Sequence, residues 1–190
     1  MKTVTLEEFI QFCEKLGNRG GFEFSGGLIW DRFAGTPLRR SIVDVVLFGN
    51  FEESDVQLFF KRPDSIHERI VSHCQNFLDS VPLIAQHYKT YCCEAVVSDK
   101  KEVREPDLSL VRRDEEKRNN YRHLENPFLI IEVSSDSTLS IDLSDKVSTY
   151  QNLSELQTYI IVWQGKQQVL VYQRIDNQKW EHKFYKTYRM

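Results

Sequence analysis

Long apolar runs are missing from this 190-residue chain. No stretch approaches the roughly 18–20 residues that a membrane-crossing helix needs, so no membrane partner is expected. Residues 1–8 (MKTVTLEE) lack the apolar segment and cleavage site of a secretion signal, which makes a cytoplasmic location the expectation. Cysteine is sparse: Cys13, Cys74, Cys92 and Cys93 show no C-x-x-C spacing, which argues against structural zinc and a disulfide framework. The neighbours Cys92 and Cys93 would point to opposite faces of a strand and read as packing residues. The run Ser134 to Ser137 has none of the glycines of a phosphate loop. No Ser-His-Asp order or cysteine-nucleophile setting stands out. A surplus of positive charge is missing too, since the formal net charge is −3. That balance does not announce a nucleic-acid binder.

Charge is nonetheless unevenly spread. Lys100 to Arg122 carries eight basic and six acidic residues, and Lys166 to Arg189 carries six basic against two acidic. The plain interpretation of both is a solvated surface. An apolar share of 41% and a charged share of 28% suit one globular domain over 1–190, long enough to bury a core.

Local signals divide the chain into alternating elements. The capping box at Thr5 and Glu8 predicts a helix from about Leu6 to Lys15, with Phe9, Ile10, Cys13 and Leu16 on one face. Two short strands follow at 22–24 and 28–30, with Glu23 facing away from Phe22 and Phe24. Apolar runs at Ile42–Phe48 and Val56–Phe60, separated by turn residues, read as an extra hairpin. A helix capped by Ser65 carries Ile66, Ile70, Val71, Cys74, Phe77, Leu78 and Val81 at helical spacing and ends at Pro82. His67, near its start, reads as a surface histidine beside a cap. Strands are then expected at 88–97 and 106–111, and at 127–133 after a polar loop. Asp142 or Ser144 caps a helix through Lys146, Tyr150 and Leu153, and a three-stranded meander closes the chain. The order is that of an α/β or α+β domain with a mixed sheet.

The strand around Glu132 (Phe128, Leu129, Ile130, Ile131, Val133) is apolar except for that carboxylate. An unpaired buried Glu costs several kcal/mol, so it needs a cation or a strand end that opens into a cleft. Asp107 opens the preceding strand. If the two strands pair antiparallel, the carboxylates are adjacent and can share a divalent cation, for which hard oxygens select magnesium, manganese or calcium over zinc. Lys146, fourteen residues after Glu132, could return to them from the next helix. Two acids, a metal and a lysine make a phosphodiester-cleaving site. Plainer roles stay open on spacing alone: Asp107 as a turn residue after Pro106, Lys146 as the i,i+4 partner of Asp142, and Glu132 paired with an arginine of the 112–122 loop.

The blocks around Pro106-Asp107, Pro127 to Thr138, Asp142, Lys146, Tyr150 and Leu156 to Val162 resemble the Uma-two family, restriction-endonuclease-like proteins of the PD-(D/E)XK nuclease superfamily, mostly bacterial. Residues 5–9, Phe22-Glu23-Phe24 with Gly27, and His67 to Val71 resemble its N-terminal signals. The resemblance implies a restriction-endonuclease-like central mixed sheet flanked by helices. It also implies Mg2+ or Mn2+ as cofactor and DNA as partner, and it allows a homodimer. It assigns Asp107, Glu132 and the Val133 carbonyl to the metal. Glu23 becomes a helper acid, and Lys146 the lysine moved from strand to helix. Three departures from the pattern accompany it: Ser134 stands where the superfamily usually has that lysine, residues 31–62 look like an insertion, and the sequence stops at Met190 where another short strand-like tail is expected. The expected activity is metal-dependent endonucleolytic hydrolysis of DNA. The alternative is an inactive nuclease fold that binds or regulates.

Overall fold

The computed structural model describes residues 3–17, 20–49, 64–98, 101–166, 168–177 and 179–186. The first helix, α1 (Leu6–Lys15), starts at the expected capping box: the Thr5 hydroxyl accepts from the Glu8 N–H, and Glu8 Oε2 accepts from the Thr5 N–H. The hairpin β1 (Phe22–Ser25) and β2 (Leu28–Asp31) follows, then the two-residue strand β3 (Thr36–Pro37).

The next element corrects the sequence-based expectation. Ile42–Phe48 is not a strand but the body of α2 (Arg40–Phe48). Val43, Val46 and Leu47 fall at i, i+3 and i+4, and that stripe is buried against Phe9 and Phe12 of α1. The β-branched composition favoured a strand, but the apolar spacing and the Arg40–Asp44 pair one turn apart favour the helix. The second arm of the expected hairpin, Val56–Phe60, lies outside the described residues.

Helix α3 (Ser65–Ser80) is capped by Asp64, one residue before the expected Ser65: its carboxylate accepts from the His67 N–H at 2.7 Å. Pro82 does not end helical structure. It opens the short α4 (Pro82–His87), at the first helical position, where a missing N–H costs nothing. The expected 88–97 strand divides into β4 (Tyr88–Cys92) and β5 (Val96–Val97), which join different sheets. After β6 (Val103–Arg104) come β7 (Leu108–Arg112), β8 (Leu129–Ser134), the short α5 (Leu139–Asp142), α6 (Asp145–Gln151), and the meander β9 (Thr158–Trp163), β10 (Gln168–Arg174) and β11 (Trp180–Lys186).

Among the described residues the strands form two sheets. One has the order β3-β2-β1-β6-β5, the other β11-β10-β9-β8-β7-β4. The second is mixed, with β8 and β9 parallel and its other pairs antiparallel. Helix α3 covers one face through Val71 and Leu78 against Leu108, Leu110, Ile131 and Val133. Helix α6 covers the other through Tyr150, with Leu153, against Val111, Ile130, Tyr159 and Ile161. Strand alternation therefore assigns Glu132 to the α6 side, while Asp107 stands just before β7.

Candidate active site

The β7–β8 register ends at Leu108↔Ile131, and Asp107 and Glu132 are the next residues beyond that pair on the two segments. Both are buried, at 1% and 2% exposure. Both line a cavity of about 80 Å³ that also receives Arg32, His67, Val133 and Lys146. Lys146 is in the second position of α6, which points it back over the sheet. Its Nζ lies 3.0 Å from Glu132 Oε1, 3.1 Å from Glu23 Oε1 and 3.2 Å from Asp142 Oδ1. Tyr150, one turn along, donates its hydroxyl to Glu132 at 2.8 Å.

Glu23 reaches this point from β1. Its other partners are Arg104 Nη1 at 3.1 Å and the Glu105 N–H at 3.2 Å. Arg32, just past β2, joins Asp107 to Glu105 and lies 3.0 Å from the latter. Glu105 in turn accepts the Gly21 N–H on both oxygens, at 3.0 Å each. Gly21 has φ 103 and would clash with Phe33 if it carried a Cβ, so this cradle calls for glycine. Asp107 also accepts from the Val133 N–H at 2.6 Å, and His67 Nε2 lies 3.2 Å from it.

Carboxyl groups outnumber permanent cations in this network, five (Glu23, Glu105, Asp107, Glu132, Asp142) against three (Arg32, Arg104, Lys146). Burial pushes Glu132 up to about 8. Lys146 opposes that rise, and Asp142 and Asp107 add to it. Burial acts the same way on Asp107, but Arg32 and His67 outweigh it and hold that carboxyl below its ordinary value. Burial works against the charge of Lys146, yet Asp142, Glu132 and Glu23 overcome it and raise the ammonium's pKa.

The family model described as "Putative restriction endonuclease", Uma2, matches residues 50–188. The chain belongs to the Uma2 family. Nothing among curated proteins matches it. A solved structure of a "putative nuclease" from Anabaena variabilis is similar over 97% of this chain and 85% of its own, with a TM-score of 0.63 at 15% identity. At that identity the likeness speaks for fold, and it makes the Uma2 architecture seen here restriction-endonuclease-like.

Of the residues singled out from sequence, Glu23, Glu132 and Lys146 stand in direct ionic contact, and Asp107 and Val133 face the same cavity. The alternatives left open by spacing resolve unevenly. Lys146 is the i,i+4 partner of Asp142 and the partner of two more acids besides. Asp107 pairs with Arg32 rather than closing a turn. Glu132 pairs with Lys146 and not with an arginine of the 112–122 loop. His67 is not simply a surface cap residue, because its ring reaches Asp107 and is mostly covered.

Sequence reasoning missed Arg32 and Arg104 as members of the network, and the tie from Asp142 to Ser134. The two arginines come from a turn and a two-residue strand, without periodicity to mark them. Asp142 was visible as a helix cap and as the i,i+4 partner of Lys146, and it also receives the Ser134 hydroxyl at 2.6 Å while contacting Lys146. It thereby ties the serine at the usual lysine position to the lysine on the helix.

The donor set suits a hard cation that keeps much of its water. The side-chain oxygens of Asp107 and Glu132 share the cavity, where carboxyl groups outnumber permanent cations. Among the described residues no group of three or more His, Cys, Asp or Glu side chains is arranged to hold a metal ion, so water would have to complete the coordination of any ion here. One cation already contacts Asp107, the guanidinium of Arg32, and an ion bound there would have to share or displace it.

Proposed function

We propose that this Uma2 chain is a divalent-metal-dependent endonuclease acting on DNA, with Asp107, Glu132 and the Val133 carbonyl holding Mg2+ or Mn2+. The observation that carries the proposal is the single ammonium of Lys146 in contact with Glu23, Glu132 and Asp142, beside a cavity that Asp107 also lines. When bound, the metal would lower the pKa of water and offset charge on the phosphoryl transition state. The protein's own groups supply the rest. Lys146, buried and cationic, orients a water at the cavity and stabilises developing negative charge. Glu23 fixes the position of the Lys146 Nζ and is itself held by Arg104. Tyr150 and Lys146 both hold Glu132 Oε1, which fixes that carboxylate's orientation toward the cavity. His67 and the Val133 N–H do the same for Asp107.

Supercoiled plasmid incubated with Mg2+ or Mn2+ should be nicked or linearised by the protein, and Asp107→Ala should lose at least about a hundredfold in rate, the scale of removing a preorganised electrostatic group. Absence of cleavage with either metal on both DNA and RNA would sink the proposal. A second reading is an inactive nuclease fold that binds DNA or a regulatory partner. It is favoured by the guanidinium of Arg32 on Asp107 and by Ser134 at the usual lysine position. It expects a folded, partner-binding protein without turnover, and a Mn2+ titration that finds no site at millimolar concentration.

A further inference from the structure

Two adjacent thiols at the end of β4 have no part in that chemistry. The ladder of β4 stops at Cys92, paired with Leu108. Cys93 then leaves the sheet with φ 51, in the left-handed region that residues with a Cβ seldom adopt. In an extended strand the two side chains would point to opposite faces. The left-handed turn undoes that alternation: the two Sγ atoms lie 3.6 Å apart, and both residues are exposed. The turn is fastened to the candidate active site from behind. The Cys93 N–H donates to the Asp107 carbonyl at 3.1 Å. Cys93 also lines a groove of about 490 Å³ together with Glu105, the carboxylate that engages Arg32.

We propose that Cys92 and Cys93 form a redox dithiol that closes into a vicinal disulfide when it meets a small-molecule disulfide, and that closure loosens the backbone bond to Asp107. The Cys92 thiolate attacks one sulfur of oxidised glutathione and expels one glutathione thiolate. Cys93 then loses its proton to solvent and attacks the Cys92 sulfur of the mixed disulfide, expelling the second. Two protein thiols are oxidised, one glutathione disulfide is reduced to two thiols, and no other reactant is needed. Proximity favours the second step, because the resolving sulfur is already in contact with the first. Consecutive Cα atoms stand about 3.8 Å apart, below the roughly 4.4–6.8 Å usual for bridged cysteines. The ring is therefore strained and easily reduced, which suits a reversible switch rather than a staple. That strain falls on the peptide whose N–H holds Asp107.

The test uses the full reduced chain incubated with oxidised glutathione. Native thiol content should fall from four to two, with intact mass lower by two hydrogens, no glutathione retained, and the bridge mapped to the 92–93 peptide. In Cys93→Ser, glutathione should remain on Cys92, because nothing resolves it. Cys92→Ser is the companion variant, with the prompt attack lost. Amide exchange at Cys93 should speed at least tenfold in the oxidised chain, a readout that does not depend on metal binding or nuclease activity. Two free thiols at 92 and 93 after oxidation, or a stable glutathione on each, would overturn the dithiol. Unchanged exchange at Cys93 in the bridged chain would overturn the link to Asp107.

Discussion

A single lysine sets the character of the candidate site. Lys146 is 4% exposed and faces three carboxylates from three different elements, so it is the counter-ion that permits their burial. Removing one partner of a buried ionic cluster leaves uncompensated charge, at a cost of about 3–5 kcal/mol. Lys146→Met, which keeps the length of the side chain, should lose that much stability in urea unfolding at pH 7. A loss under about 1 kcal/mol would mean that the acids are solvated and not organised by Lys146. Glu132 adds a pH dependence to the metal-free protein. Its carboxyl is raised from 4.5 to about 8 in the fold, so the unfolded chain gives up this proton first as pH rises. The stability it contributes is full below about 4.5 and is lost as pH climbs toward 8. Urea midpoints should thus decline more steeply between pH 5 and 8 in the native sequence than in Glu132→Gln. Parallel slopes would remove Glu132 from the account.

At the level of elements, local chemistry decides some segments and tertiary burial others. The capping box of α1 is wholly local, which is why the sequence alone makes it legible. Thr5→Ala should cost about 1 kcal/mol in thermal or urea unfolding, and Thr5→Ser close to nothing. The pair β7 and β8 is legible for a similar reason: a proline before each run, a mostly apolar stretch, and one carboxylate where each segment meets the cleft. Residues 42–48 show the opposite case. Their composition favours a strand in isolation, and burial of Val43, Val46 and Leu47 against α1, with the Arg40–Asp44 pair, selects the helix. The site divides along the same line. Asp107, Glu132 and Lys146 lie within forty residues on neighbouring stretches of the chain, so spacing could bring them together. Arg32 and Arg104 meet the acids across sequence separations of 75 and 81 residues, and no periodic pattern encodes such pairings. Cys93 depends on a single left-handed residue, which alternation rules cannot foresee.

For the whole molecule, the buried charges have a second consequence. The five-stranded sheet has its own apolar core with α1 and α2, and the six-stranded sheet has two more with α3 and α6. Between the sheets run polar ties: Arg104 and Glu23 of the first sheet meet Thr149 and Lys146 of α6, and Thr149 donates to Glu102 at 2.7 Å. Two sheets joined through a seam in which carboxyl groups outnumber permanent cations should respond to a divalent cation as a unit. An ion that binds only the folded chain stabilises it by RT ln(1 + [L]/Kd), about 1.4 kcal/mol at tenfold over Kd. For a chain of this size that corresponds to a rise in Tm of about 3–6 °C. Thermal unfolding with Mg2+ raised from zero to tenfold over the Kd found by titration should show that shift in a single cooperative transition. Asp107→Ala should abolish the shift while keeping a cooperative melt, which separates loss of the ion from loss of the fold. A shift of equal size in Asp107→Ala would place the ion elsewhere. Two separate transitions, with only one responding, would show that the seam does not couple the sheets.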